Sequence, residues 1–179
     1  MGVKQAIADL VKSAAVPVLV KEVGAGINAT LAVELFEMGV TAVDVAGFGG
    51  TNWARIEAAR RSDDSAMFAP FLDWGMPTIE VLQQVCEACP GKVVIASGGV
   101  RHGLDAVKAI WLGASLVSAA GPMLANLGAT DAAPDATQLQ GFISRWKQQM
   151  ALALFLTGAP GLAAFRRVQA RLDGTLITP

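Results

Sequence analysis

Four short apolar runs, each closed by glycine and each followed by a helical pattern, limit what this chain can fold into. They read VPVLVKE (16–22), AVDVA (42–46), VVIA (93–96) and SLVSA (115–119). A short, nearly continuous apolar run predicts a strand covered on both faces. Gly24 and Gly26 follow the first run, Gly47, Gly49 and Gly50 the second, Gly98 and Gly99 the third, and Gly121 the fourth. Strict strand–helix alternation predicts an α/β fold, a parallel sheet with its helices outside. Right-handed crossovers then bring all four strand C-termini, and every glycine-rich loop, to one rim.

The third unit, VVIASGGVRHG (93–103), shows the pattern most fully. A glycine pair at a strand end lets the backbone approach a ligand. The helix after it points its first N–H groups back at the same place, which suits an anion. Helices are predicted over 2–13, from Asn28 or Thr30 to Met38, and over 53–61, 78–89, 104–112, 123–127, 138–156 and 162–172. Gly39 ends the second, and Thr78 reads as the cap of the helix it opens. Residues 62–77 fit no helical pattern. A loop that long is usually functional or mobile. Residues 130–137 read as a polar loop. The chain is expected to be one domain, 1–179, with C-terminal helices over 130–179.

The strand count then matters. The rim of glycine loops matches the active-site face of a (β/α)8 barrel, but eight strands typically need about 250 residues. This chain has 179 residues and four such strands. A half barrel exposes two parallel edges and the side chains of its interior. Three outcomes follow: the C-terminal half of a longer protein, assembly with a partner, or closure as a small open sheet.

Composition narrows the partners. Fourteen Lys and Arg nearly cancel fifteen Asp and Glu, with no basic tract for nucleic acid. The uncharged stretches 109–130 and 150–165 are broken by Gly and Pro, so they read as buried segments, not membrane spans. The first ten residues lack a signal peptide's apolar core, and a cytoplasmic location is expected. Cys86 and Cys89 lie at a helix end before Pro90, the wrong end for an activated thiol. With one histidine, His102, they also lack ligands for zinc.

Four stretches resemble one family: PVLVKEVGAG (17–26), AVDVAGFGGTNWARIE (42–57), VVIASGGVRHGLDAVKAIWLGA (93–114) and LVSAAGP (116–122). They are similar to strands five to eight of type 2 isopentenyl-diphosphate isomerase, an FMN-dependent (β/α)8 enzyme. FLDWGMPT (71–78) and WKQQMALALFLTGA (146–159) resemble a loop and the C-terminal helix of the same family. The resemblance implies FMN as cofactor, NADPH as its reductant, Mg²⁺ on the substrate, and interconversion of isopentenyl and dimethylallyl diphosphate. The family's first-half segment His-Leu-Asn-x-x-Gln-Glu, with its Mg²⁺-binding glutamate, is not in this sequence. The chain is therefore expected to correspond to the C-terminal half of the barrel, to hold FMN, and to lack isomerase activity alone. An N-terminal half barrel or a second copy would complete it.

Each candidate residue carries two readings. By spacing alone Lys21 pairs with Glu22 or another rim carboxylate; the resemblance places it at the N1/C2 carbonyl side of the flavin. Gly98, Gly99, the backbone of Val100 and Arg101, and Ala120-Gly121 form either a phosphate cradle, with 123–127 as its short helix, or tight turns. Thr51 reaches a flavin or phosphate oxygen, caps the helix after it, or both. Arg101 adds charge to the phosphate or pairs with Asp105. His102 reads as a surface residue, since one histidine without a partner makes a poor general base. Arg60, Arg61, Asp63 and Asp64 gate the pocket or form a solvated cluster. Phe71, Trp74 and Met76 cover a ligand or pin their loop to the core. No catalytic or metal-binding residue is expected in this chain.

Two other functions compete. An FMN-dependent 2-hydroxy-acid oxidase shares the GGVR stretch, but its proton-accepting histidine has no counterpart in Gly47-Phe48-Gly49-Gly50-Thr51. A non-catalytic half barrel that binds flavin or phosphate needs only the glycine loops.

Overall fold

The computed structural model of the chain describes residues 2–61, 65–127, 136–172 and 175–177. The order is α1 (Val3–Ser13), β1 (Leu19–Lys21), α2 (Ala29–Glu37), β2 (Ala42–Asp44), α3 (Trp53–Arg60), a 3₁₀ turn (Ser65–Phe71), α4 (Thr78–Ala88), β3 (Val93–Ala96) and α5 (Gly103–Trp111). Then come β4 (Leu116–Val117), α6 (Gly121–Ala125), α7 (Ala136–Leu156), α8 (Leu162–Phe165), β5 (Ala170–Leu172) and β6 (Thr175–Ile177). Strands β1 to β4 form one parallel sheet in chain order. With helices flanking it, this is α/β architecture and a partial barrel. Among the described residues, the outer edges of β1 and β4 carry no further strand.

Side chains alternate across the sheet. Val20, Val43, Val45, Val94, Ala96 and Val117 face the helices and meet Leu35, Val81, Leu82 and Val85. Each fully buried Val or Leu among them contributes about 1.5–3 kcal/mol. The opposite face carries two rows set by register. Leu19, Ala42 and Val93 lie abreast, and so do Lys21, Asp44, Ile95 and Leu116. Ala42 and Ile95 on this face are each 7% exposed, while Val93 beside Ala42 is 38% exposed. At its margins it is open, with Leu19 at 48% and Leu116 at 57%.

The strands are shorter than the apolar runs that announce them. Pro17 cannot donate to a ladder, so β1 starts after it. Ala46 takes a positive φ of 42°, which bends the chain out of β2. Two expectations need correction. Residues 62–77 are not loop throughout: a 3₁₀ turn spans Ser65–Phe71, with the Arg61 guanidinium 5.1 Å from the Phe68 ring centre. The helix expected over 162–172 stops at Phe165, and an antiparallel hairpin of β5 and β6 follows. The indole N–H of Trp111 donates to the Val168 carbonyl at 2.7 Å, holding the chain in the turn between them. An Asp-Gly pair at 173–174 was a sequence signal for this hairpin.

No helix among the described residues is long and apolar enough to cross a membrane.

Candidate functional site

The rim is built by loops that pack backbone against backbone. A methyl group at Gly98 would lie 2.0 Å from the Gly47 carbonyl oxygen, and one at Gly99 would lie 2.8 Å from that of Gly49. Both glycines have positive φ, 93° and 77°. Their lack of a side chain is thus explained by the neighbouring loop. The stretch after the 3₁₀ turn stitches the rim together. Met76 N–H donates to the Ala25 carbonyl at 2.8 Å, and Phe48 N–H donates to the Met76 carbonyl at 2.7 Å. The Thr78 hydroxyl donates to the Gly98 carbonyl at 2.7 Å. Thr78 is therefore not a cap. The cap position belongs to Pro77, and the Thr78 hydroxyl clasps the glycine pair of another loop.

The loop after β1 closes on its own carboxylate. Oε2 of Glu22 accepts from the N–H groups of Gly24, Ala25 and Gly26, the last at 2.9 Å. Burial pushes this carboxyl up, but the donors of Gly26, Gly24, Ala25 and Val23 together outweigh it and hold the group below its ordinary value. Glu22 is thereby removed as the partner of Lys21.

Lys21 instead meets a buried pair. Its Nζ donates to the Glu22 carbonyl at 3.0 Å and to Ser97 Oγ at 3.3 Å, and lies 3.8 Å from Asp44 Oδ2. The Ser97 hydroxyl donates to Asp44 Oδ1, which also accepts the Ala46 N–H at 3.1 Å. Asp44 and Ser97 are 3% and 5% exposed, whereas the Lys21 side chain is 47% exposed. The ammonium thus sits at the open mouth with its anchors beneath it.

Backbone donors complete the rim. Among the described residues, the N–H groups of Gly98, Gly99 and Val100, after β3, and of Ala119 and Ala120, after β4, carry no hydrogen bond. Two of those in the first turn of α5 are taken. Gly103 N–H donates to Gln149 Oε1 of α7 at 2.7 Å, and Asp105 N–H donates to His102 Nδ1 at 3.2 Å. The helix that was expected to face an anion is capped by protein groups. His102 is its N-cap, so it is more than a surface residue. Arg101 meets Asp105, as one of its two readings had it, but through the backbone. Its N–H is taken by Asp105 Oδ2 at 3.1 Å, while its guanidinium reaches the Gly49 carbonyl at 3.5 Å. The short helix α6 begins at Gly121, two residues before the predicted start, with Ala120 as its cap position.

A cleft of about 160 Å³ opens beside Glu22, lined in part by Phe48, Thr51, Trp53, Phe71 and Trp74. Asn52, not Thr51, caps α3, accepting the Arg55 N–H at 2.9 Å. Among the described residues the Thr51 hydroxyl has no partner, and the residue lines this cleft. Met76 pins its loop through the backbone, while Trp74 stands 70% exposed beside Phe71, ring centres 6.1 Å apart. Arg61 pairs with Glu57 at 3.0 Å. Asp63 and Asp64 lie outside the described residues. Away from the rim, burial pushes the Cys86 thiol up to about 11, with Arg166 opposing and Cys89 and Glu87 adding. Cys89 is also raised by burial. Both are free thiols, as their place at a helix end suggests.

Sequence reasoning missed Asp44, Ser97 and the bonded role of Glu22. A lone carboxylate inside AVDVA was the available signal, since an unpaired charge does not stay in a sheet interior.

Known proteins fit this geometry. The chain is 48% identical over 174 residues to an isopentenyl-diphosphate delta-isomerase of Stutzerimonas stutzeri, covering 96% of this chain and 48% of that protein. It is 47% identical to the protein of that name from Xanthobacter autotrophicus, covering 93% and 48% respectively. The chain thus spans about half the length of the curated relatives it matches. Among solved structures, one named as a lactate oxidase of Pediococcus acidilactici superposes with a TM-score of 0.72 at 20% identity, covering all of this chain and 41% of that one. A (S)-mandelate dehydrogenase from Pseudomonas putida gives 0.69 at 25% identity, covering 90% and 39%. These structural likenesses show the fold. A family model described as FMN-dependent dehydrogenase matches residues 3–171, and this chain belongs to that family.

Proposed function

We propose that this chain is the flavin-holding half of an isopentenyl-diphosphate delta-isomerase, interconverting isopentenyl and dimethylallyl diphosphate, and that it does not turn over alone. The observation that carries this reading is the 48% identity to such an isomerase across 96% of the chain. The oxidase alternative rests on fold likeness near 20% identity.

The donor set suits FMN. Backbone N–H groups of Gly98, Gly99, Val100 and Ala120, with Gly121 behind them, would take the phosphate oxygens. A methyl at Gly121 would meet nothing within 4 Å, so this side of the cradle has room. Arg101 would add charge from its side chain only. The free hydroxyl of Thr51 is a donor toward the flavin or the phosphate. Lys21 would hold its ammonium against the N1/C2 carbonyl edge, where negative charge collects on reduction. Bound and reduced, FMN supplies a ring able to give and take a proton. Glu22 and Asp44 are already bonded within the protein, so neither is assigned the proton transfer. The aromatic cleft at Phe71 and Trp74 suits the isoprenoid tail. NADPH would reduce the flavin. Mg²⁺ and the diphosphate would be held by the remaining length that the relatives have. Among the described residues no cluster of three or more His, Cys, Asp or Glu could hold a metal ion. The reading places the protein in the cytoplasm, with the complementary half barrel or a second copy against its open sheet edges.

The test mixes purified chain with FMN, removes free FMN and reads visible absorbance and isomerisation. It is run alone and with a separately expressed N-terminal half of a relative. Flavin retention with isomerisation only in the mixture supports the proposal. Turnover by the chain alone overturns its dependence on a second half. No flavin in either arm overturns the flavin site.

A further inference from the structure

The geometry points to Asp44 as the positioning residue that holds the Lys21 ammonium at the rim, with Ser97 as the bridge between them. Its use in flavin binding rests on the reading of Lys21 given above; the holding itself does not.

Asp44 stands directly opposite Lys21 in the β1–β2 register. It is 3% exposed on the face of the sheet that the helices do not cover. A carboxylate so deeply placed persists only with partners for its oxygens. Oδ1 has two neutral donors, the Ser97 hydroxyl and the Ala46 N–H. Oδ2 has the cation, 3.8 Å away. Ser97 relays the same contact. Its one proton goes to Asp44, which leaves its lone pairs toward Lys21 Nζ at 3.3 Å. The Glu22 carbonyl takes another ammonium proton at 3.0 Å. Three anchors from three strands or strand ends thus fix a long side chain that otherwise has several rotamers. The unanchored side of the ammonium faces the mouth.

A purely structural account of Asp44 is available, since its bond to the Ala46 N–H supports the bend where φ is positive. Asp44→Asn separates the two. Asparagine keeps an oxygen for Ala46 and Ser97 and removes the charge. Acylation requires the Lys21 nitrogen to leave its anchors at Asp44, Ser97 and the Glu22 carbonyl and meet the reagent. The experiment treats the full chain with a small N-hydroxysuccinimide acetate and reads each lysine by peptide mass spectrometry. Lys12 and Lys108 serve as internal references. The expected result is a Lys21 rate roughly two- to fivefold higher in the Asp44→Asn variant, as the anchor is weakened, with both references unchanged. An unchanged Lys21 rate in a variant that still melts cooperatively overturns the proposal. If Asp44→Asn does not fold, Ser97→Ala carries the test. It keeps the charge and removes the bridge, and Lys21 should still acylate faster than in the native chain. No increase there overturns the proposal as well. Flavin retention by the native chain and its half-barrel mixture is read in parallel. A responsive Lys21 without retained flavin refutes the flavin reading and leaves the holding intact. Retained flavin with an unresponsive Lys21 refutes the holding alone.

Discussion

Replacing Gly98 by alanine tests the account of the rim most directly. The new methyl would sit 2.0 Å from the Gly47 carbonyl oxygen, with the carbonyl carbon and nitrogen of Gly47 each at 2.9 Å. No rotamer relieves this, because the obstructing atoms are main chain. The residue's φ of 93° adds strain for any side chain. A left-handed conformation costs about 1–2 kcal/mol, and forced overpacking about 1–3 kcal/mol. The two together give about 2–5 kcal/mol. For a chain of this size each kcal/mol lowers Tm by about 2–4 °C, so a mid-range loss of about 3 kcal/mol is about 6–12 °C. Gly121→Ala is the matched control. Its methyl meets nothing within 4 Å, and stability should change by less than about 0.5 kcal/mol. Urea unfolding of the two variants beside the native chain measures both. A Gly98→Ala protein that unfolds with the native midpoint would refute the loop-on-loop packing. A ligand role alone would then explain the glycine pair.

Four other outcomes follow from the same structure. Thr78→Val removes the hydroxyl that donates to the Gly98 carbonyl at 2.7 Å, and should cost about 1–2 kcal/mol by urea unfolding. Glu22 has its carboxyl held below the ordinary value of 4.5, so its clamp stabilises the fold above that pH and is lost as pH falls through the lowered value. The stability gap between native chain and Glu22→Gln should therefore narrow on acidification below pH 4.5; a gap independent of pH would contradict the N–H clamp. Cys86, pushed up to about 11, and the buried Cys89 should alkylate with iodoacetamide at pH 8 more slowly than a free peptide thiol, and rapid labelling of the folded chain would contradict their burial. Val94→Ala, at 1% exposure on the helix side, should cost far more stability than Leu116→Ala, at 57% on the open face; equal losses would mean that the open face is covered in the isolated chain.

The strands and their order were legible because buried parallel strands announce themselves as local apolar runs. So was the rim, since topology alone puts the loops after β1 to β4 together. What could not be read are contacts between residues far apart in sequence. Gln149 reaches Gly103 across 46 residues and closes the helix end that seemed free for an anion. Ser97 reaches Asp44 across 53 residues and turns two incidental polar residues into one network. The glycine pair was correctly placed, but its conformation is demanded by Gly47 and Gly49. The first strand of the final hairpin, β5, falls within the stretch 162–172 that was read as one helix. Trp111 then decides the matter by holding the Val168 carbonyl.

The stitching of the rim also bears on how half a barrel could bind a cofactor. Met76 ties to Ala25, Phe48 to Met76, Thr78 to Gly98 and Gly47 to Ser97, all within this chain. The donors at Gly98 to Val100 and the ammonium of Lys21 are therefore ordered before any ligand or second half arrives. Ordering entropy, a large part of the cost of binding, is lost at folding and not at association. A second half barrel would then add contacts to a site already shaped, not create its geometry. It follows that weak flavin binding by the chain alone would reflect missing contacts. In that case a completing half should raise affinity chiefly by slowing release, since the donors presented to the incoming ligand are the same with and without it.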